Sequence, residues 1–343
     1  MLNKYPTLVA EISANHNGSL SNAKKLIQLA KKSGFDYVKL QTYEPQTMTL
    51  NSKKKEFTIK KGLWKNKTLW DLYTKAQTPF GWQKKLFDYC KKLKIKCFST
   101  PFDETAVELL EKLNCPMYKI ASFEITHIPL IEKVSKTKKP VIISTGMATI
   151  KDIDLAYDTA YKNGAKEIAL LYCISNYPAK NSDFNLRSIE FLKKRYKCKV
   201  GFSDHSIDNS VAKTALASGA EIFEKHIALK NVKAADYKFS LKGNELKDYT
   251  EELKKTSKLL GKFQFKHSSS QDNYKNYRRS IYALKAIKKG EKFSIRNISI
   301  VRPGYGLSPK YFKKIINKKS PYKIEKYSKV SKNIIKKMKV SVE

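Results

Sequence analysis

Short apolar runs alternate with longer amphipathic stretches rich in Lys and Glu over the first 260 residues. A short apolar run bounded by turn residues is typical of a strand that is buried on both faces. Eight such runs predict eight strands: Leu8 to Ser13, Tyr37 to Thr42, Lys96 to Pro101, Tyr118 to Ser122, Val141 to Gly146, Ile168 to Cys173, Lys199 to Asp204 and Glu221 to His226.

The stretches between the runs predict helices. NAKKLIQLAKKSG and IDLAYDTAYKNG, for example, have apolar residues at helical spacing and close on the Gly expected after a helix. Strands that alternate with helices pair in parallel, and eight units in about 230 residues match a closed (β/α)8 TIM barrel of the α/β class. The competing architecture is a doubly wound open sheet. A dinucleotide-binding sheet of that kind has a G-x-G-x-x-G turn after its first strand, whereas this chain has ISANHNGS.

One connection, residues 43–94, is much longer than the others, and it carries a long insert, residues 50–83. The connection is too aromatic for a disordered linker. Ordered loops over a barrel mouth commonly act as lids or substrate walls. Anchoring of the loop to the barrel is the alternative role for its aromatic residues: Phe57, Trp64, Trp70, Tyr73, Phe80 and Trp82.

The alternating pattern ends at Gly261, so residues 1–261 are predicted to form the barrel domain. Residues 262–279 have a Ser run and mixed charges, which predict a linker. Residues 280–343 contain short β-like pieces such as SIYALKAI and ISIVRPGYG. They predict a separate small β-rich domain.

The composition is strongly basic, with 69 Lys and Arg against 31 Asp and Glu and a formal net charge of +38. Such a charge raises the hypothesis of a polyanion partner such as nucleic acid. The lysines are spread over nearly every predicted helix, a pattern that favours solvated helix faces instead. Five cysteines without a Cys-x-x-Cys pair favour a reducing compartment. With no apolar window long enough to span a membrane and no signal-like start, we expect a cytoplasmic protein.

Two neighbouring predicted strands end on histidine, in VGFSDHS and EIFEKH. The active site of a parallel barrel lies at the carboxyl ends of its strands. Two imidazoles on one rim are able to hold a divalent metal ion, and we therefore predict His205 and His226 as metal ligands. A structural role for each histidine is the alternative.

Two lysines, Lys39 and Lys119, lie inside apolar runs, where an unpaired ammonium group would be costly. They predict an anion site. Hydroxyl groups at neighbouring strand ends extend it to a cradle for a phosphate and a carboxylate: Thr100, Ser122, Ser144 and Ser203. A Schiff base on Lys119 is one alternative use. Simple pairing with Glu11, Glu124 or Glu224 is the other.

Eight motifs resemble, in order and spacing, those of the sialic acid (nonulosonate) synthase family: AEISANHNGS, VKLQTY, FSTPFD, YKIASFE, ISTGMA, SNYPA, GFSDHS and EKH. The pieces RSIYALKAIKKGEKF and NISIVRPGYG resemble the antifreeze-protein-like SAF domain, a β-clip fold, of the same family. Together these matches span nearly the whole chain.

The resemblance implies a transferase that condenses phosphoenolpyruvate with an N-acetylated amino-sugar aldehyde and releases phosphate. It implies a divalent metal, most often Mn²⁺, with Mg²⁺ or Co²⁺ as alternatives. It also implies a domain-swapped homodimer, with neither nucleic acid nor a membrane as partner.

By motif, the metal ligands are His205 and His226, and Glu11 and Glu124 face the sugar. The water that adds to the substrate needs a nearby carboxylate as general base, for which Glu11 is the first candidate and Glu124 the second. These two carboxylates and the two histidines are the predicted catalytic residues. Phosphoenolpyruvate is bound by Lys39, Thr100, Lys119, Ser122, Ser144 and Ser203. The sugar is bound by Gln41, Ser175, Tyr177, Asp236 and, from the other subunit, Arg302.

Within the family, ISANHN and the LWDLYTKAQTPFGWQ segment are more similar to pseudaminic acid synthases than to N-acetylneuraminate synthases. The expected sugar is then 2,4-diacetamido-2,4,6-trideoxy-L-altrose. N-acetylmannosamine and the legionaminate precursor are the rival sugars. Two segments depart from the family pattern. TPFGWQ replaces the more usual TPWEWH, and this difference concerns the choice of sugar. INKKSPYKIEKYSKVSKN lacks the Gly-bearing hairpin that members more often show, and this difference concerns the docking of the SAF domain. A polyanion-binding protein and a carbohydrate- or ice-binding C-terminal domain are rivals of other classes.

Overall fold

The computed structural model describes residues 5–62, 64–176, 179, 181–263, 265 and 274–338. The chain divides into two compact units, Met1–Gly261 and Lys262–Glu343.

The first unit is a closed barrel of eight parallel strands, in which each strand pairs with the next and the last pairs with the first. The predicted α/β TIM-barrel fold is confirmed. The strands are β1 Thr7–Glu11, β2 Tyr37–Thr42, β3 Lys96–Pro101, β4 Tyr118–Ile120, β5 Val141–Ser144, β6 Ile168–Cys173, β7 Lys199–Asp204 and β8 Ile222–Ala228. A short ninth strand, β9 Leu241–Lys242, pairs in parallel with the end of β8.

Helices follow the strands, and those of nine or more residues bury apolar side chains on the barrel. The helices are α1 Leu20–Lys32, α2 Pro45–Met48, α3 Leu69–Ala76, α4 Phe80–Lys92, α5 Glu104–Lys112, α6 Ile128–Lys136, α7 Ile150–Lys162, α8 Ser188–Tyr196, α9 Asn209–Ala217 and α10 Glu245–Leu260. Side-chain caps fix several helix starts. Asp103 accepts a hydrogen bond from the backbone of Ala106, and Thr149 forms a capping box with Asp152.

Close packing between β7 and β8 depends on Gly201. A Cβ atom at this position would lie 2.4 Å from the carbonyl oxygen of Ile222 and 2.6 Å from Cδ2 of Leu171. No other residue fits there without moving backbone. This glycine therefore holds the two histidine-bearing strands together below the site.

The insert is ordered around a small hairpin and α3. Thr58 and Thr68 form an antiparallel bridge, and the Ile59 N–H donates to the Lys67 carbonyl oxygen at 2.9 Å. Tyr43 is buried and makes an edge contact with Tyr73, with ring centroids 5.8 Å apart. The insert therefore packs as a structured wall on the carboxyl-end face of the barrel.

The second unit contains an antiparallel pair of strands, β10 Ser280–Ala283 and β11 Ile298–Val301, and two short helices, α11 Phe312–Ile315 and α12 Ile334–Lys337. Isolated bridges such as Ile287 with Ile324 extend its β structure. Its own apolar core is built from side chains such as Ile281, Phe293 and Val330. Of the predicted linker, residues 264 and 266–273 lie outside the described residues.

In the described part of the chain, no helix combines the length and the apolar character that crossing a bilayer requires.

Candidate active site

A cavity of about 310 Å³ opens at the carboxyl ends of the barrel strands. Eleven of the residues predicted from the sequence line it: Lys39, Gln41, Lys119, Ser122, Glu124, Ser144, Ser175, Ser203, His205, His226 and Asp236. These residues come from strands and loops spread over most of the barrel domain. The fold brings them together as the carboxyl-end rule requires.

The other four predicted residues lie elsewhere or cannot be placed. Glu11 and Thr100 are buried behind the cavity wall, where both contact the Lys39 ammonium group. Tyr177 lies outside the described residues. Arg302 belongs to the second unit, and its role as a sugar contact stays a prediction.

Lys39 and Lys119 are 3% and 2% exposed and share a buried carboxylate. Lys39 Nζ lies 2.5 Å from Glu11 Oε2 and 3.3 Å from Glu224 Oε1, and Lys119 Nζ lies 3.4 Å from Glu224 Oε2. The pairing with Glu11 and Glu224 that the sequence left open is therefore present. Two ammonium groups and two carboxyl groups form one cluster, which we call the charge cluster.

The two carboxyl groups of the charge cluster differ in their affinity for protons. Burial opposes ionisation of Glu224, but Lys119 and Lys39 outweigh burial and lower its pKa. Burial, reinforced by Glu224, raises the pKa of Glu11 to about 7 although Lys39 opposes the shift. Glu11 is thus the member of the cluster that takes up a proton most readily near neutral pH.

Several hydroxyl groups face the cavity near Lys119. Ser122 Oγ and Cys173 Sγ are 3.1 Å apart. Ser144 Oγ and Ser175 Oγ are buried without a hydrogen-bond partner among the residues that the structure describes. Buried hydroxyl groups are nearly always satisfied in native proteins, so these two indicate a place for an acceptor-rich ligand.

The space beside these hydroxyls depends on Gly146. A Cβ atom there would lie 2.2 Å from Ser175 Oγ and 2.8 Å from both Cys173 Sγ and Ser122 Oγ. Gly146→Ala is therefore expected to displace the hydroxyls and to raise the KM for the anionic substrate roughly tenfold or more, the equivalent of losing one good hydrogen bond of about 1.5 kcal/mol.

Gly81→Ala is the matched control for Gly146→Ala, because no atom lies within 4 Å of a Cβ at Gly81. Steady-state kinetics of both variants check the prediction. An unchanged KM in Gly146→Ala would show that these hydroxyls do not bind the anion.

The two predicted metal ligands, His205 and His226, face each other. Their ring centroids are 5.5 Å apart, and Phe239 packs against both rings. Nδ1 of His205 lies 2.9 Å from the carbonyl oxygen of Ile174, which can only accept, so this nitrogen donates its proton and the lone pair of the neutral ring is on Nε2.

Both imidazoles are held in the neutral form that binds metals. Burial lowers the pKa of His205 to about 4, and burial together with His205 lowers the pKa of His226 well below its ordinary value. Nδ1 of His226 is buried and makes no hydrogen bond within the described part of the chain; Asp236 Oδ2 is 3.7 Å away. The donor set fits a borderline metal ion.

In the ranges that the structure describes, no group of three or more His, Cys, Asp or Glu side chains is placed to hold a metal ion. The two imidazoles would therefore share the ion with water and substrate oxygens. Catalytic metal sites keep such open positions, whereas structural sites are closed by protein ligands.

Glu124 lies at the cavity wall on the 3-10 helix Ser122–Glu124. Its Oε2 is buried without a hydrogen-bond partner among the described residues. Burial raises the pKa of Glu124 to about 7 against the opposing charges of Lys119 and Lys39. A carboxyl group with this pKa carries protons efficiently near neutral pH.

Several side chains of the cavity were not predicted as site residues. The apolar ones include Leu72 and Ala76 of the insert and, outside it, Met48, Phe102, Phe123 and Phe239. Ser13 also lines the cavity and donates to Asp236 Oδ2 at 2.5 Å. Glu224 was considered only as a partner for a lysine. Strand alternation offered a signal for it, because Glu224 lies two residues before His226 on the same face of β8.

Residues 26–265 match the NeuB family, and residues 278–326 match the SAF domain. The pseudaminic acid synthase of Helicobacter pylori is 42% identical over 92% of this chain and 93% of its own length. The N,N'-diacetyllegionaminic acid synthase of Campylobacter jejuni is 37% identical over 92% of this chain and 96% of its own length.

Among solved structures, the N-acetylneuraminic acid synthetase of Leptospira borgpetersenii superposes with a TM-score of 0.71 at 29% identity, covering 81% of this chain and 92% of that one. Synthases of the NeuB family are metal-dependent in general, in keeping with the two neutral imidazoles. The matches extend through both units of the chain. This chain therefore belongs to the NeuB family and carries a SAF domain after its barrel.

Proposed function

We propose that this chain is a pseudaminic acid synthase, which condenses phosphoenolpyruvate with 2,4-diacetamido-2,4,6-trideoxy-L-altrose to give pseudaminic acid and phosphate. One observation carries the proposal: two buried ammonium groups, two hydroxyls that have no hydrogen-bond partner among the described residues and two neutral imidazoles converge on a single cavity. The identity of 42% with the Helicobacter pylori enzyme supports the choice of sugar.

Phosphoenolpyruvate has two anionic groups, and Lys39 and Lys119 bind them in this proposal. The charge cluster holds both ammonium groups in place at the cavity floor, so that little rearrangement is needed on binding. The neutral donors of the phosphoenolpyruvate site are Thr100, Ser122, Ser144 and Ser203. Thr100 and Ser203 already contact the cluster, at 3.1 Å from Lys39 Nζ and 3.3 Å from Glu224 Oε1.

His205 and His226 hold the divalent ion, for which we propose Mn²⁺. When bound, the ion polarises the aldehyde oxygen of the sugar as a Lewis acid. Phe239 packs on both rings and shields them from water on that side.

The reaction joins C3 of phosphoenolpyruvate to the aldehyde carbon, and water then adds at C2 before phosphate leaves. A base must take the proton of that water. Glu124 lines the cavity and makes no ion pair with any residue that the structure describes, whereas Glu11 is held by Lys39 and by the backbone N–H of Ser13. We therefore place Glu124 ahead of Glu11 as the general base, the reverse of the order suggested by sequence. The role of Glu11 is then to stabilise the positive charge of Lys39 through their ion pair.

The sugar binds with its aldehyde carbon at the floor, beside the imidazoles and phosphoenolpyruvate. The far end of its six-carbon chain therefore extends towards the loops of the mouth. There the insert contributes apolar side chains, among them Trp64, Leu72 and Ala76, that are only half-buried. A 6-deoxy sugar with acetamido methyl groups fits this wall, whereas a 6-hydroxyl group left without a partner would cost about 1–3 kcal/mol.

Phosphate release tests the function. Purified protein is incubated with phosphoenolpyruvate, Mn²⁺ and, separately, the trideoxy sugar, N-acetylmannosamine or the legionaminate precursor. We expect the trideoxy sugar to give the highest kcat/KM by roughly tenfold or more. Equal or greater turnover with N-acetylmannosamine would overturn the choice of sugar. Absence of phosphate release with every sugar would overturn the proposed synthase activity.

Phosphoenolpyruvate binding is expected to take up a proton at pH 8. At this pH the phosphate group is fully ionised and Glu11 and Glu124, both with a pKa of about 7, are mostly ionised. New negative charge at Lys39 and Lys119 raises the pKa of both carboxyl groups further. Calorimetric titrations in buffers of different ionisation enthalpy measure the uptake. Glu11→Gln should reduce it, and a binding enthalpy independent of the buffer would contradict the prediction.

We also propose a cytoplasmic homodimer in which Arg302 of one subunit contacts the sugar bound by the other. The family resemblance and the match of residues 278–326 to the SAF domain support this assembly. The five cysteines are all free thiols, as expected in a reducing compartment. Arg302→Ala should raise the KM for the sugar. Unchanged kinetics would show that Arg302 of the small domain does not contact the sugar.

A further inference from the structure

A second buried ion pair lies directly behind the two histidines. Asp204 precedes His205 on β7, and Lys225 precedes His226 on β8. Asp204 is 0% exposed and Lys225 is 1% exposed, with Lys225 Nζ 3.1 Å from Asp204 Oδ2. The two residues are also register partners of the adjacent strands.

Further polar contacts tie this pair to the backbone on both sides of His205. Lys225 Nζ donates to the carbonyl oxygen of Ser206 at 2.5 Å. Asp204 Oδ1 accepts from the Ser206 N–H at 2.8 Å and from its hydroxyl at 2.6 Å. Asp204, which precedes His205, and Ser206, which follows it, are therefore bonded to each other. Both are also bonded to Lys225, which precedes His226.

The pair lies on the outer face of the barrel wall. Ser203, His205, Glu224 and His226 line the cavity, so strand alternation directs Asp204 and Lys225 the other way, towards the helix layer. There Lys225 Nζ is 5.7 Å from the ring centroid of Tyr249 on α10. Tyr249 is fully buried, and burial together with the Asp204 carboxylate raises its pKa. The ion pair is thus enclosed between the barrel and α10.

A buried ion pair contributes little net folding stability, because apolar side chains of similar volume usually stabilise the fold as well or better. What a hydrogen-bonded pair provides is a fixed geometry. The backbone ladder between Phe202 and Phe223 already joins β7 to β8 below this point. The polar contacts are instead placed at the last register pair of β7 with β8, where β7 ends and His205 lies just beyond the ladder.

We propose that Asp204 and Lys225 are positioning residues, which set the spacing and orientation of His205 and His226 for a divalent metal ion. The proposal rests on the metal-dependent function proposed above. Neither residue touches the ion or the substrates; both act through the backbone of the histidines. The matched control is Lys193→Met, which removes the ion pair with Glu221 (2.8 Å) at the other end of β8.

The test measures Mn²⁺ binding without substrates, from the loss of the electron paramagnetic resonance signal of free Mn²⁺. The proteins are wild type, Lys225→Met, the double variant Asp204→Asn/Lys225→Met, and Lys193→Met. Thermal unfolding of each metal-free protein is measured in parallel, and binding is measured well below the transition. The double variant removes both charges and remains informative if Lys225→Met does not fold.

We expect Lys225→Met and the double variant to bind Mn²⁺ roughly tenfold or more weakly, in the range seen when the supporting partners of metal ligands are lost. Lys193→Met should bind like wild type even where its unfolding temperature falls. Wild-type affinity in a folded double variant would overturn the positioning role and leave the proposed function intact. Absence of Mn²⁺ binding by the wild type would overturn the metal site itself, and the positioning role with it.

Discussion

Lys119→Met is expected to lower the rate of phosphate release at least about a thousandfold while leaving the protein folded. Methionine keeps most of the shape of the lysine side chain and removes its charge. Truncating one partner of a buried, hydrogen-bonded charge pair between two binding partners costs about 2–5 kcal/mol of binding free energy, and 4 kcal/mol is roughly a thousandfold in rate. Glu224 keeps its ion pair with Lys39, and this contact preserves the core of the charge cluster.

Lys133→Met is the control for Lys119→Met, since its ion pair with Glu108 is exposed and should be worth little. Activity is followed by phosphate release, and folding by circular dichroism. Activity within tenfold of wild type would exclude Lys119 from the anion site. Borohydride treatment of the wild type with both substrates separates this role from the alternative Schiff base, because an anion-binding lysine gives no trapped adduct.

His226→Ala is expected to reduce Mn²⁺ affinity by more than roughly a hundredfold and to remove phosphate release at ordinary metal concentrations. Loss of a ligand should exceed the 10–100-fold cost of losing a residue that only supports a ligand. Without the imidazole of His226, the proposed site would keep a single protein ligand, His205. Titration of Mn²⁺ by electron paramagnetic resonance, together with activity at saturating Mn²⁺, measures both effects.

His127→Ala serves as the control for His226→Ala, because His127 precedes α6 outside the cavity. The rival hypothesis of a polyanion-binding protein predicts the opposite result. Such a protein would bind nucleic acid with a steep salt dependence and would be indifferent to His226→Ala. Retention of full Mn²⁺ affinity and activity in the variant would refute the metal site.

The fold could be predicted because strand periodicity is local information. The runs at Tyr37, Lys96, Ile168 and Lys199 coincide with the observed β2, β3, β6 and β7 from end to end. The last strand was predicted to end at His226 but continues to Ala228. The extension of this strand pairs with β9, a two-residue strand that is too short to show a sequence pattern.

The gathering of the site was also predictable, since the carboxyl ends of parallel strands meet at one rim. The charge pairing was not. Lys39, Lys119 and Glu224 come from β2, β4 and β8, and their distances depend on barrel closure rather than on spacing in sequence. The same holds for Asp204 and Lys225, whose contact depends on the register between two strands.

The apolar sugar wall was predicted only in outline. The aromatic content of the insert indicated an ordered lid, and Trp64 and Tyr73 do line the cavity. Met48 and Leu72 were missed because an aliphatic side chain in a loop carries no signal of the direction in which it points. Helix α3 determines that direction for Leu72.

Crystals soaked with Mn²⁺ and phosphoenolpyruvate test the central claim most directly, with anomalous scattering to locate the manganese. The account predicts an anomalous peak within about 2.0–2.3 Å of a ring nitrogen of both His205 and His226, typical of metal–imidazole bonds. It also predicts the phosphate and carboxylate of phosphoenolpyruvate on Lys39 and Lys119 in the same cavity. Manganese bound away from these imidazoles, or phosphoenolpyruvate bound away from these lysines, would contradict it.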